Sequence, residues 1–562
     1  MKTIPWDNLD VHGEQRRRAL LNFDRLETEP YEPDTVFKPA AYEWPGDWEG
    51  RTLLALVLLA QATQREPRHL SAIMQRLPDY LNAQGFFGAC HEAGVIDEQQ
   101  LSGNSWFLRA MVEHYKWRQD PFSLSVIERM IEHLLLPARG HYAEYPVLPE
   151  QRVFAGGAIG GLQQEQIGAW RLSTDIGCAF IMLDGATQAY QIVPRRELKD
   201  LIDEMIAKFK TIDLAGLSFQ THATLSALRG VLRHYETTGD ASLLRKAEEV
   251  FALYLQKGMT ATFANYNWFG RSEWTESCAV VDSFIVAVSL WQHTGKAVYL
   301  DAAHHIYYNG IGYGQRPNGG FGCDVCTGAH GERMIAPKSP ELFEAFWCCT
   351  MRGGEGLARA VEYCYFVEDS GHLFVPFYAD GLVRIGMSGG HVVIGQRTGY
   401  PYEGDVHLEV LESAAADPVT VGLYVPSWAE KSSIRLRFEG QERSADMQNG
   451  FVTLTELLKK GSVIELSFDI SLRKEYEPDS SQGAFSYRHG AMVLGIEGGE
   501  SPVELDRDEE LAALGSGRYR MTSSCKELAP INDLIEKSHE AAVKNRKQVL
   551  FYEQSQLQFM SE

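Results

Sequence analysis

The sequence has little that would carry it into a membrane or onto nucleic acid. Its best apolar run, Leu53–Ala60, is far short of the roughly 20 residues a spanning helix needs. The first residues, Met1-Lys-Thr-Ile-Pro-Trp-Asp7, lack the apolar segment of an export signal, which predicts a cytoplasmic chain. Basic residues are in deficit: 53 Lys+Arg against 75 Asp+Glu give a formal charge of −22. A phosphate backbone or an anionic bilayer needs a basic face, so neither nucleic acid nor membrane is expected as a partner. There is no Gly-Lys-Ser/Thr phosphate loop, no His-Glu-x-x-His zinc helix and no low-complexity tract. Cysteine occurs nine times, an odd number, and two stand side by side as Cys348 and Cys349. An odd count with no export segment fits reduced thiols better than a disulfide framework.

At 562 residues, 44% of them hydrophobic, the chain can bury a large core and is long enough for more than one domain. Apolar residues recur at three- and four-residue spacing in Arg51–Thr63, Ser105–Trp117, Ser123–Leu135, Arg195–Ile212, His222–Thr237, Ala241–Gln256, Cys278–His293 and Ala297–Tyr308. Tyr235-Glu-Thr-Thr-Gly-Asp240 and Trp291-Gln-His-Thr-Gly295 place a glycine just past a helix end, where a left-handed residue stops the helix. Repeated helix pairs predict an α-barrel or solenoid over residues 1–370. From Leu373 the period becomes two, as in Val406-His-Leu-Glu-Val-Leu411 and Val419-Thr-Val-Gly-Leu-Tyr-Val425. Short alternating strands predict an antiparallel β-sandwich over 371–500. The charged remainder, 501–562, is expected to pack back on the other domains, partly as helix within Lys526–Glu553.

The chemistry concentrates in sulfur. Cys323, Cys326, Cys348 and Cys349 fall close together in sequence, and Trp274-Thr-Glu-Ser-Cys278 adds Glu276 and Cys278. Thiolate and carboxylate donors in a tetrahedral set favour zinc over magnesium or calcium. Residues two apart in a helix diverge by about 200°, so Glu276 and Cys278 reach one metal only at a helix entry. Thr275 is a suitable N-cap for such an entry. Gly353-Gly354 after the cysteine pair imply a tight loop. A structural knuckle of Cys323, Cys326, Cys348 and Cys349 is the main competing reading, and spacing alone slightly favours it. Cys90, Cys178, Cys364 and Cys525 read as ordinary packing thiols.

Glu276-Ser-Cys278 followed by Cys348–Cys349 resembles glycoside hydrolase family 127 and its relatives, the β-L-arabinofuranosidase-like proteins. His222-Ala-Thr-Leu, Tyr307-Tyr-Asn-Gly310, Gly356-Leu-Ala-Arg-Ala and Tyr487-Arg-His-Gly-Ala-Met-Val493 fit the same resemblance, in consistent order from about residue 40 to the end. It implies a mainly α fold with β: an (α/α)6-type barrel followed by antiparallel β-sandwich material. It implies zinc held by Glu276, Cys278, Cys348 and Cys349, with Cys348 as the nucleophile of a retaining glycosidase. A metal-bound thiol is held as thiolate, the reactive form, and a glutamate would act as acid and then base. The family's acid/base position falls in Thr260-Ala-Thr-Phe-Ala-Asn265, which holds no carboxylate, so the nearest glutamate, Glu273, takes that expectation. The usual Cys-Cys-Pro-Pro-Asn is Cys348-Cys-Thr-Met-Arg352 here, and Cys323 and Cys326 are additions.

Sugar recognition needs planar apolar faces beside hydrogen-bonding groups. Trp44-Pro-Gly-Asp47-Trp48-Glu-Gly-Arg51, Trp106, Asn265, Trp268 and His222 are the candidates. The expected partner is a small carbohydrate, and a homo-oligomer is compatible with the sequence. Two rivals remain. One is a polysaccharide lyase on an (α/α) barrel, against which the scarcity of Lys and Arg near the site counts. The other is a zinc-stapled carbohydrate-binding protein without catalysis.

Overall fold

The computed structural model of the chain describes residues 1–38, 44–148, 163–328, 333–387, 390–477, 480, 483–498, 501–503, 505–506 and 509–553. Its helices are α1 (Gly13–Leu26), α2 (Pro33–Val36), α3 (Asp47–Thr63), α4 (Leu70–Tyr80), α5 (Glu98–Arg118), α6 (Pro121–Met130), α7 (Met182–Ile192), α8 (Arg196–Phe209), α9 (Thr221–Thr238), α10 (Ala241–Lys257), α11 (Ser277–Thr294), α12 (Ala297–His305), α13 (Gly312–Gly314), α14 (Cys349–Glu362) and α15 (His539–Val543). Helices α3, α5, α7, α9, α11 and α14 touch in that order, and α14 closes on α3, making an inner ring. Around it α4, α6, α8 and α12 each pack on one inner helix, while α10 and α1 each bridge two, which completes an (α/α)6 barrel.

The two rings have different sequences for a physical reason. An outer helix has one face on protein and one in water, so α8 buries Leu198, Leu201, Ile202, Met205, Ile206 and Phe209 at three- and four-residue spacing. Full burial of each such side chain contributes about 1.5–3 kcal/mol, and Leu201→Ala would cost about 2–5 kcal/mol. An inner helix is enclosed all round and also lines the barrel interior, so α3 and α11 bury polar residues such as Arg51, Thr52, Asp282 and Ser283 beside their apolar ones. Gly239 and Gly295 stop α9 and α11 in the left-handed conformation, with φ of 71° and 68°, as their sequence positions predict. Among the described residues no helix is long and apolar enough to cross a membrane.

The expected loop at Gly353-Gly354 is instead the first turns of α14. These glycines serve close approach: a Cβ on Gly353 would lie 2.1 Å from the Phe321 ring, and one on Gly354 would lie 2.5 Å from Asn22 Oδ1. Periodicity also passes over α1, α4 and α7.

The β region holds two sheets on one shared apolar core. The seven-stranded sheet includes Gly381–Met387, Gly390–Thr398, Gly404–Ser413 and Val463–Phe468 as antiparallel neighbours. Val406, Leu408 and Val410 point inward at period two. The six-stranded sheet contains one parallel pair, Leu373–Val375 with Val419–Tyr424, where the alternation predicts only antiparallel partners. Two strands come from the chain's start, Lys2–Thr3 and Leu9–Val11, one to each sheet. A third sheet takes Leu472–Tyr476, Phe485–His489 and Met492–Glu497 together with later strands, so much of the tail is strand. Its Arg546–Gln548 strand pairs with Ile335–Pro337, in the segment leading to the cysteine pair. Asn309 locks barrel to sheet: its Nδ2 donates to Ala491 O at 2.8 Å, and Val493 N donates to its Oδ1 at 2.7 Å.

Candidate active site

The N-terminal ends of the inner helices open at one mouth of the barrel, and the sulfur cluster is built there from two of them. Glu276 is the N-cap residue of α11 and Cys348 that of α14. Glu276 is extended (φ −132°, ψ 116°), so its side chain escapes the divergence a regular helix would impose and lies near Cys278 two residues on. Thr275, the expected cap, is engaged elsewhere, since its Oγ1 accepts from Asp324 N at 3.1 Å.

Cys278 Sγ lies 3.2 Å from Cys348 Sγ and 3.8 Å from Cys349 Sγ, and Glu276 Oε1 is 3.9 Å from Cys348 Sγ. Donor atoms of Cys278, Cys348 and Cys349 form one group of metal-binding size, and those of His222, Glu276 and Cys278 form a second sharing Cys278. Cys278 and Cys349 are buried and Cys348 is half-buried, so the pair is divided into one thiol facing the mouth and one facing the core. Hydrogen bonds from the Cys278 and Cys349 thiols, with Arg51 and His222 nearby, hold the Cys348 thiol well below the ordinary thiol range. Burial pushes Cys278 well above it. Zinc–thiolate bonds of about 2.3 Å imply sulfur–sulfur edges of about 3.8 Å, and the Cys278–Cys349 separation matches that edge. Three sulfurs and a carboxylate on one small volume are the donor chemistry of zinc, so the residues fit that ion.

Residues 213–362 match the sequence model described as the β-L-arabinofuranosidase GH127 catalytic domain, and residues 372–470 match that of the GH127 middle domain. Over these two spans the chain resembles glycoside hydrolase family 127. Among solved structures it is similar to a GH127 β-arabinofuranosidase at TM-score 0.74 and 14% identity, over 99% of this chain and 98% of that one. It is also similar to a GH127 β-L-arabinofuranosidase from Geobacillus stearothermophilus T6 at TM-score 0.72 and 14% identity, over 97% of this chain and 100% of the other. At that identity these structures speak to the fold. No curated protein matches the sequence.

The remaining candidates separate into those open to the mouth and those beneath it. Trp48 keeps part of its ring exposed and packs edge-on against Phe346, with ring centroids 5.7 Å apart. Trp106, expected as a sugar platform, is fully buried: it stacks on His222 at 5.6 Å, and the Arg51 and Arg352 guanidiniums lie 4.4 Å from its ring centre. It shapes the floor and offers no open face. Asp47 is likewise buried and accepts from Arg51 Nε at 2.9 Å, and Arg51 Nη1 donates to Cys278 Sγ at 3.2 Å. Asn265 is buried and orients the glutamate: Glu276 N donates to its Oδ1 at 2.8 Å, and its Nδ2 donates to Thr221 Oγ1 at 2.9 Å. Trp268 is buried against Trp274 beneath the Arg271 guanidinium. Glu273 is exposed and paired with that Arg271 at 2.9 Å.

His222 bridges two carboxylates, Nδ1 at 3.3 Å from Glu276 Oε1 and Nε2 at 3.5 Å from Asp282 Oδ2. Asp282 accepts from Ser226 Oγ and Arg229 Nη1, each at 2.6 Å, and is also paired with Arg352. Burial alone would raise its carboxyl, but Arg352 and Arg229 hold it down at about 2. Asp282 and Arg352 lie four residues past Cys278 and Cys348, one helical turn inward. That i, i+4 spacing was the available signal for both. Asn267, with its amide turned to satisfy its neighbours, donates to Glu276 Oε2 at 2.6 Å and accepts from Trp274 Nε1 at 3.1 Å.

The four-cysteine knuckle does not assemble. Cys323 Sγ reaches Cys349 Sγ at 3.9 Å, whereas Cys326 Sγ turns to Asn265 O at 3.7 Å. Burial pushes the Cys326 thiol up to about 12, the behaviour of an inert packing thiol.

Proposed function

We propose that this protein is a retaining glycosidase acting on β-L-arabinofuranosides or closely related small glycosides, with Cys348 as its nucleophile. The observation carrying this reading is the half-buried Cys348 thiol at the barrel mouth, beside Cys278 and Glu276, within the span that matches a GH127 catalytic domain. Zinc would be held by Glu276, Cys278, Cys348 and Cys349, and when bound it keeps the thiols deprotonated.

Cys348 Sγ attacks the anomeric carbon as the bond from that carbon to the leaving oxygen breaks. Glu273 gives its proton to that oxygen. Water then attacks the same carbon, its proton passes to Glu273, and the S–C bond breaks to restore the thiolate. His222, braced by Asp282, and the amides of Asn265 and Asn267 hold Glu276 in place. Trp48 is the proposed open aromatic surface for the sugar. Nine free thiols suit a reducing compartment, which makes small imported glycosides better substrates than intact polymer.

The test is kcat/KM on a panel of aryl furanosides and pyranosides. Cys348→Ser should lose about 10³-fold or more while wild type prefers a β-L-arabinofuranoside. Full activity in Cys348→Ser would remove the cysteine nucleophile. Bound zinc with no turnover on any member would favour a carbohydrate-binding protein.

A further inference from the structure

The mouth holds more sulfur than one tetrahedral ion uses. Glu276, Cys278, Cys348 and Cys349 already make four donors, and Cys323 brings a fifth, 3.9 Å from Cys349 Sγ. That separation is again the edge expected between two thiolates on one zinc. The buried donors differ from Cys348 in access: Cys278, Cys323 and Cys349 are all enclosed, and Cys348 alone of the four sulfurs is half-exposed. A nucleophile that carries a sugar on its sulfur becomes a thioether, a much poorer zinc donor than a thiolate. Its place on the ion then has to be filled or left open.

Cys323 approaches that place from the Cys349 side; its sulfur lies outside the Cys278, Cys348 and Cys349 donor group and has to shift to join it. Its neighbour Asp324 is buried and paired with Arg316 at 3.1 Å and Lys338 at 2.9 Å. Asp324 also exchanges backbone contacts with the residue before Glu276: Thr275 N donates to Asp324 O at 2.8 Å, and Asp324 N donates to Thr275 Oγ1 at 3.1 Å. Cys323 N donates to Leu342 O, and Gly322 is so tightly enclosed that a Cβ there would lie 2.3 Å from the same oxygen. The Cys323 loop is therefore registered against the helix entry that carries Glu276 and Cys278. Cys326, turned away onto Asn265 O, is not an equivalent substitute.

We infer that Cys323 is a reserve zinc ligand, which joins Glu276, Cys278 and Cys349 on the ion when the Cys348 sulfur is covalently occupied. This rests on the zinc site proposed above and adds to it a residue outside the family's ligand set. No bond to carbon changes at Cys323; a thiol proton is released as its sulfur becomes a metal ligand.

The experiment reads metal, not turnover. Zinc-loaded full-length protein is treated with iodoacetamide under conditions that modify Cys348 alone, as verified by mass spectrometry, and zinc release is followed with a chromogenic chelator. Wild type should keep one zinc per chain before and after alkylation. Cys323→Ser and Cys323→Ala should keep it before alkylation and lose it after. The loss of affinity should exceed the roughly 10–100-fold typical of removing an outer-shell partner. Cobalt substitution gives a second readout: alkylated wild type should retain the charge-transfer intensity of three thiolates, and the alkylated variants that of two. Release of zinc from alkylated wild type, or equal retention in wild type and both variants, overturns the inference. So does equal weakening before and after alkylation. Wild type that binds no zinc, or binds it unchanged in Cys278→Ser, overturns the zinc-site reading together with the inference. Correct zinc behaviour with no glycoside turnover overturns only the catalytic reading.

Discussion

The barrel interior has two levels, and they handle buried polarity in opposite ways. Below the mouth, Arg109, Arg229, Arg233 and Arg352 interleave with Asp184, Asp282 and Glu355, each charge answered by another within the protein. At the mouth, the thiols of Cys278, Cys348 and Cys349 crowd one another beside Glu276, with the Arg51 guanidinium on Cys278 and the His222 ring on Glu276. A belt that is internally compensated holds five of the six inner helices in register. A donor cluster with surplus sulfur is arranged for something from outside. The comparison teaches that burial of charge alone does not mark the functional level; incompleteness does.

The comparison breaks most visibly if both levels respond alike to loss of metal. A strong chelator should remove turnover by about 10³-fold or more while far-ultraviolet circular dichroism and the cooperative unfolding transition survive, because the belt needs no ion. Loss of folding on chelation would show that the mouth is structural. Next in size is Asp282→Ala, which removes one carboxylate from Arg229 and Arg352 and leaves both to Glu355, with Asp184 beside Arg229. It should cost about 3–5 kcal/mol in urea unfolding, whereas Glu276→Gln at the upper level should weaken zinc binding with a smaller stability change.

A pH series on the metal-free protein sharpens the division within the upper level. Thiolate is the alkylated form, so a thiol held below the ordinary range stays reactive as pH falls, and one held above it loses about tenfold of its thiolate per pH unit. Cys348 should therefore react at neutral pH, ahead of Cys278 and Cys349, whose thiols are raised. Peptide mapping after brief alkylation at each pH checks the order; equal labelling would contradict it. Gly353→Ala tests close packing just behind the site. Its Cβ meets the Phe321 ring, so a loss of about 1–3 kcal/mol is expected in thermal unfolding. At the small end, Arg384→Ala on the exposed sandwich face removes an ion pair with Glu412 and should change stability by less than about 0.5 kcal/mol.

Much of this was legible in the chain, and the parts that were not have physical causes. The outer helices α8 and α10 show clean apolar stripes because each has a wet face. Helices α7 and α14 escape periodicity because they are enclosed and carry buried polar or glycine positions. Glu276, Cys278, Cys348 and Cys349 stand out as a set only through the family resemblance, because spacing by itself leans to the four-cysteine knuckle. Trp106 reads from sequence as a platform and proves to be a floor, since no spacing rule reveals that His222, Arg51 and Arg352 cover its faces. The strands at Lys2–Thr3 and Leu9–Val11 are unreadable locally because their partners lie more than 350 residues away, at Phe366–Val367 and Gly381–Val383.

By itself the sequence determined the class of molecule: an acidic, thiol-bearing chain of paired helices and then alternating strands, with donors suited to zinc. Those properties follow from composition and from periods that local geometry imposes on any chain. Only the tertiary structure decided which sulfurs meet, because ligand sets are assembled from helix entries and loops far apart in sequence. It divided the CxxC pair, sending Cys323 toward Cys349 and Cys326 to Asn265. It also left Cys348 as the half-exposed member of the cluster. Access and distance are properties of the packed ring, and no residue carries them alone.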